Sequence, residues 1–152
     1  MQTLTIDPVN AVALGGAAIA LWIKGMAFSL TQARIRIRSR TFTRPEDAGL
    51  LRVPPVPEDH PRVEILAQAW RNELEATPAL MALASSYVLL GGSNPAFSWA
   101  LGAYVIARFV QGFAQATARQ PSRTIAWMGG VAATGWVVVL LLQQLLGVAN
   151  GH

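Results

Sequence analysis

The sequence predicts an all-α integral membrane protein built as a four-helix transmembrane bundle. Three observations carry that expectation. Apolar residues make up 53% of the 152 and charged residues only 13%, whereas a soluble domain holds about 25% charge. Four long apolar segments recur, each near the length that crosses a bilayer at about 1.5 Å per residue. The basic residues gather in two of the three connections between those segments. The whole chain, residues 1–152, is read as one domain.

The first segment is Ala11 to Leu30, AVALGGAAIALWIKGMAFSL. No basic stretch precedes it, no clear cleavage site follows and Lys24 sits inside it, so it reads as a span and not a signal peptide. The second runs from about Val63 to Leu90. It opens on the polar turns WRNELEATPAL and only then becomes the apolar run MALASSYVLLGG. The third is Ala96 to Ala118 and the fourth Ser122 to Val148. GGSNP (Gly91 to Pro95) and ARQP (Ala118 to Pro121) read as tight turns, with Pro121 suited to the start of the fourth helix. The connection over residues 31–61 is long and rich in Arg and Pro. Helices are expected throughout, because a backbone in lipid must satisfy its own hydrogen bonds. The runs are too uniformly apolar for barrel strands, which alternate.

Six of the twelve Lys and Arg lie in the first connection: Arg34, Arg36, Arg38, Arg40, Arg44 and Arg52. Arg119 and Arg123 flank the third connection, and the second has none. By the positive-inside rule the first and third connections are cytoplasmic and both termini lie outside. The net charge of +4 is thereby explained by a membrane, and nucleic acid is not an expected partner. The chain has no cysteine, which excludes disulfides and thiolate catalysis by the protein itself. His60 lies in a loop and His152 is the last residue, so no His-built metal or acid–base site is expected. Ala- and Arg-rich usage and the lack of a reticulum-retention tail point to a bacterial inner membrane.

Polar residues inside the spans are the functional signal. At about 100° per residue, Gln68, Arg71, Asn72 and Glu75 share one arc of the second helix, with Arg71 and Glu75 an i,i+4 pair, and Glu73 points elsewhere. Tyr104, Arg108, Gln111 and Gln115 form a stripe about 60° wide on the third helix. Arg123, Thr124 and Trp127 occupy the first turns of the fourth, and Lys24 lies near the end of the first. By topology the groups on the second, third and fourth helices share one depth at the cytoplasmic end. Charges at membrane depth face a bundle interior or a wet cavity. One reading is structural, with Arg71, Glu75 and Arg108 pairing to hold register; Lys24 and Arg108 are assigned to that role. The other is a site for an anionic, hydrogen-bonding small ligand, suited by the surplus of cations. Gly15, Gly16 and Ala20, and Gly129, Gly130 and Ala133, are expected to permit close helix contact. Trp22, Tyr87, Trp99 and Trp136 read as interface anchors or core.

RTFTRPEDA in the first connection, DHPRVEILAQAWRNELEATPAL in the second helix and QPSRTIAW at the head of the fourth resemble the MAPEG family, membrane-associated proteins of eicosanoid and glutathione metabolism. The resemblance spans nearly the whole chain. It implies a homotrimer of four-helix bundles that binds glutathione as co-substrate near the cytoplasmic side, between subunits, with no metal. Carried over by residue, Arg71, Asn72 and Glu75 match glutathione contacts, with Gln68, Gln111, Gln115 and Trp127 around them. Arg36 or Arg38 matches an arginine that reaches the ligand from the next subunit. Arg123 matches the arginine beside the glutathione thiol, Asp47 its acidic partner and Thr124 a hydroxyl beside the thiol. Relatives often carry His or Tyr at Gln111, Tyr at Gln115 and at Trp127, and some carry Arg at Gln68. Glutamine still hydrogen-bonds a peptide ligand.

The resemblance implies a glutathione-dependent transferase or peroxidase that acts on lipophilic electrophiles or lipid peroxides arriving from the bilayer, or an isomerase of that type. Two other classes stay open at this stage: a family-fold membrane binding or assembly protein without catalysis, and a small ion-coupled transporter.

Overall fold

The first helix begins where the chain supplies a cap. Asp7 is extended and accepts a hydrogen bond from the Val9 N–H at 2.9 Å, with Pro8 at the first helical position. In the computed structural model, which describes residues 5–117 and 119–149, this helix is α1, Pro8–Ser39. His152, and Ala118 at the expected end of the third span, lie outside the described residues. α1 continues past Leu30 because TQARIRIRS contains neither Gly nor Pro to stop it. It ends on Arg40 in the left-handed conformation (φ 55°). Arg34, Arg36 and Arg38 are thus helical, where the sequence placed them in a loop.

A short helix not foreseen in the first connection, α2 (Pro45–Leu50), forms on PEDA. Proline suits its first position and Glu46 and Asp47 suit its positive N-terminal end. α3 is Pro61–Leu89, capped by His60 with Pro61 at its start. α4 is Ala96–Ala116 and α5 Ser122–Ala149. No strand occurs among the described residues.

α4 and α5 pack most extensively, α1 lies against α3 and α4, and α3 also touches α5; α1 and α5 do not meet among the described residues. The core runs along α3 and α4, with Leu80, Ala84, Tyr87, Phe97, Leu101 and Tyr104 closed in by Leu21 and Val137. Tyr87 is core: its ring stacks on Phe97 at 4.6 Å and its hydroxyl accepts from the Asn94 N–H. Trp22, Trp99 and Trp136 face outward. The end opposite the arginines is closed by fully buried Asn10. Its amide donates to the Gly92 carbonyl at 3.0 Å and its oxygen accepts from Ser98 at 2.9 Å.

The close helix contacts are not made by the glycines the sequence singled out. Gly15 and Gly16 meet nothing within 4 Å in the protomer, and Gly129 and Gly130 make ordinary contacts with α4. The tight approaches are at Gly25, where an added Cβ would stand 2.3 Å from the Trp70 ring, and at Gly112, where it would stand 2.9 Å from Phe28. Position inside a buried stripe decides this, not clustering of small residues.

α1 and α5 are each long and apolar enough to cross a bilayer. α3 and α4 carry the polar groups described below, which keep them from passing the same test.

Gly25→Leu forces the Trp70 ring from its place and is expected to destabilise by about 1–3 kcal/mol. Thermal unfolding in detergent, followed by circular dichroism, reads this, and Trp70→Leu added to the same chain is expected to recover part of the loss. A Gly25→Leu midpoint equal to that of the parent chain would contradict the packing.

Candidate functional site

The buried stripe of α3 is Val63, Leu66, Ala69, Glu73, Leu80 and Ala84, so Glu73 occupies a core position. Glu73 does point away from the arc of Gln68, Arg71 and Glu75, as the sequence suggests; the direction it takes, into the core, is what the sequence reading did not state. Lys24 likewise falls in the stripe Ala17, Leu21, Lys24 of α1, and Arg108 in that of α4. The three meet. Lys24 Nζ donates to Glu73 Oε2, Arg108 Nη2 lies 3.3 Å from the same oxygen, and Thr77 Oγ1 donates to Glu73 Oε1 at 2.7 Å. The expected pairing among Arg71, Glu75 and Arg108 is absent from the ion pairs of the described residues. Arg71 and Glu75 are exposed while Arg108 turns to Glu73. The reason is desolvation: a buried carboxylate recruits the nearest cations, and solvated ones gain little from each other.

Arg108 has donors left over. Nη2 also donates to the Asn72 carbonyl at 2.7 Å and Nη1 donates to Gln111 Oε1 at 2.7 Å. Asn72 Nδ2 in turn donates to Gln115 Oε1 at 3.2 Å. Arg108, Asn72 and Gln111 of this network line a cavity of about 580 Å³ between α3, α4 and the head of α5. Asn72 and Glu75 wall one side, Arg108 and Gln111 the back, and Arg123, Thr124 and Trp127 the other side. Arg108 is occupied by Glu73, so Arg123 and Glu75 are the cavity's unpaired charges among the described residues. Gln120, which the sequence reading missed, also lines it and accepts from the Thr124 hydroxyl at 3.2 Å.

A second cavity of about 360 Å³ adjoins the first, sharing Ala76, Arg108 and Trp127. Its walls are apolar or small: Ala79, Gly130, Val131, Gly135 and Val138, with Tyr104 and Thr134.

The remaining candidates lie elsewhere. Gln68 and Arg71 are exposed on α3 outside the cavity, and Gln115 is sealed behind Asn72. Asp47 is not brought to Arg123 within the protomer. It lines a separate cavity of about 300 Å³ with Arg36, Phe42 and Arg44. Arg38 is exposed. Arg36 is held by Asp59, Nε to Oδ1 at 3.0 Å and Nη2 to Oδ2 at 2.5 Å, which ties the first connection back to α1. The Arg36 guanidinium holds the Asp59 carboxyl below the ordinary carboxylate range. No cluster of three His, Asp or Glu that could hold a metal occurs among the described residues.

The family pattern covers residues 12–143, from the first turns of α1 nearly to the end of α5. The chain belongs to the MAPEG family. That family is a four-helix membrane bundle, and the protein is an integral membrane protein. MAPEG members are mostly glutathione-dependent enzymes. No curated protein matches the chain.

Two outcomes check this geometry. Glu73→Gln leaves two buried cations without their carboxylate and is expected to destabilise by about 3–5 kcal/mol; a thermal midpoint unchanged from wild type would contradict it. The Asp59 carboxyl is lowered, so its contribution is present above the ordinary carboxylate range and is lost as pH falls through the lowered value. Asp59→Asn is therefore expected to speed tryptic cleavage at Arg40 and Arg52 several-fold at pH 7. Pepsin below about pH 4 is expected to find wild type loosened and the variant little changed.

Proposed function

We propose that this protein is a glutathione-dependent membrane transferase or peroxidase acting on lipophilic electrophiles or lipid hydroperoxides. The observation that carries this reading is the pairing of two cavities. A polar one walled by Asn72, Glu75, Gln111 and Arg123 adjoins an apolar one along α5, with Trp127 and Arg108 at the join. A peptide thiol fits the first and an apolar partner the second, so sulfur and electrophile meet at Trp127.

The free thiol titrates near pH 8.5 and only the thiolate is a strong nucleophile. Arg123, unpaired in the cavity, stabilises the thiolate by its charge. The Thr124 hydroxyl, now donated to Gln120, can turn to donate to the sulfur. Glu75 accepts the ligand's ammonium group. In transfer, the thiol proton leaves to water, a carbon–sulfur bond forms and the electrophile's leaving group departs or its double bond takes up the electron pair. In peroxide reduction, two thiols are oxidised to the disulfide while the hydroperoxide is reduced to alcohol and water.

One cavity cation does not satisfy two ligand carboxylates and a thiolate. Arg36, Arg38 and Asp47 lie outside this cavity in the protomer, so we assign them to a neighbouring copy's site in a homotrimer. The outward-facing apolar surface of α1, with Gly15 and Gly16 open, is available for such contact. The arginine-rich end faces the cytoplasm and the start of α1 and the end of α5 lie opposite, in keeping with the positive-inside rule; a bacterial inner membrane suits this arrangement. A second reading is favoured by one feature. Among the described residues the polar cavity has no aromatic hydroxyl, since Trp127 and Gln111 stand where relatives often carry one, and a protein that binds glutathione without turnover would share this geometry.

Glutathione added to the protein in detergent is expected to show thiolate absorbance in the ultraviolet near neutral pH. Arg123→Ala is expected to lower that absorbance and to cut turnover of a lipophilic electrophile by about 10²-fold or more, with a smaller change in affinity. Equal thiolate signals in both proteins would remove Arg123 from this role. Binding without turnover in wild type would select the second reading.

A further inference from the structure

The end of the bundle opposite the arginines carries a cavity that the proposed chemistry does not use. Its volume is about 440 Å³, and it lies between the turn that joins α3 to α4 and the later turns of α5. Ser93 and Asn94 of the turn, Gln143 and Gln144 of α5, and Tyr87 and Leu140 line it. No charged residue among the described residues does.

Gln143 needs an explanation. It stands in the outward stripe Trp136, Val139, Gln143 and Leu146 of α5, whose other members are exposed and apolar. It is nine residues past Thr134, about 180° round the helix, and so is turned away from the apolar cavity that Thr134 lines. Its neighbour Gln144 is spent, since Nε2 donates to the Leu90 carbonyl at 2.7 Å and closes the end of α3. Gln143 makes no such bond among the described residues, and an amide in a lipid-facing stripe costs free energy unless something polar meets it. The depth says what that is. Trp99, in the first turn of α4, and Trp136 both face outward, and outward tryptophans mark the level where hydrocarbon gives way to headgroups. Gln143 is about 10 Å beyond Trp136 along α5.

The polar groups left over on these side chains are mixed in kind. Asn94 Oδ1 accepts from the Ala96 N–H at 2.9 Å, which leaves its amide hydrogens unspent. Tyr87 Oη accepts from the Asn94 N–H at 2.9 Å, which leaves its own proton to give. Gln144 keeps its oxygen as an acceptor, and Ser93 and Gln143 can give and accept. A phosphate or carboxylate would meet only the donors and an ammonium group only the acceptors, whereas a hydroxyl meets both.

We propose that this cavity holds the uncharged, hydroxyl-rich headgroup of a membrane lipid, a glycerol or a sugar, with Gln143 and Asn94 as its contacts and the lipid chains lying along α5 beside Trp136 and Val139. The site is independent of the glutathione reading.

Native mass spectrometry of the full chain tests this, in a polyoxyethylene detergent that carries no sugar, with added lipids of equal acyl chains and different headgroups. A glucosyl diacylglycerol is expected to be retained several-fold more than phosphatidylcholine, at about two- to tenfold per hydrogen bond. Because the glycolipid is neutral, the arginine-rich end does not contribute to its retention. Gln143→Leu continues the apolar stripe, so it is expected to leave the thermal midpoint no lower and to remove the preference. Asn94→Asp keeps the acceptor that caps α4 and removes the amide donors, and is expected to weaken the preference as well. Equal retention of all headgroups, or a glycolipid preference that survives both variants, overturns the proposal. Retention of every anionic lipid with none of the glycolipid also overturns it and moves lipid binding to the arginines.

Discussion

One buried carboxylate organises this molecule. Glu73 sits in the apolar stripe of α3 and is met by Lys24 from α1 and Arg108 from α4. None of the three charges can be removed alone, because the remainder would be left uncompensated in a medium that solvates them poorly. The cluster therefore fixes three helices at one depth. It also leaves one positive charge in excess, and the surplus donors of Arg108 reach the Asn72 carbonyl and Gln111. The constraint that holds the bundle is the same one that shapes the cavity floor.

The cavity is polar only where that network reaches. One to two turns further along α5 the walls become Gly130, Val131 and Gly135, too small to fill the space between α3 and α5. Small residues here leave a recess, while at Gly25 and Gly112 they are filled by Trp70 and Phe28. The same residue type thus makes a contact in one place and a space in another, according to what faces it. The proposed function, with one water-soluble and one lipid-soluble partner, draws on both kinds of wall lying side by side.

Much of the fold was legible because lipid restricts the choices. Four long apolar runs with two short turns leave little but a helical bundle, although α1 already begins at Pro8 behind the Asp7 cap, ahead of the apolar run that starts at Ala11. The end of α1 was misread because the apolar run stops at Leu30 while the helix does not; Arg34, Arg36 and Arg38 are good helix formers whose charge says nothing about backbone. Several of the expected polar residues meet in one cavity, since a shared depth on neighbouring helices brings Asn72, Gln111 and Arg123 together. Glu73 was set apart from the polar arc, but the stripe it belongs to was not followed. Its spacing of four from Ala69 and seven from both Leu66 and Leu80 placed it in the core stripe, and a lysine in the stripe of α1 was the signal for its partner. Asp47 and Arg123 belong to different cavities of one protomer, a separation that no linear pattern reveals.

The most direct test is a structure of the protein in a lipid disc with reduced glutathione. The account predicts a tripeptide in the cavity between α3, α4 and α5, with the sulfur beside Arg123. An empty cavity, or a tripeptide held elsewhere on the bundle with Arg123 free, would contradict it.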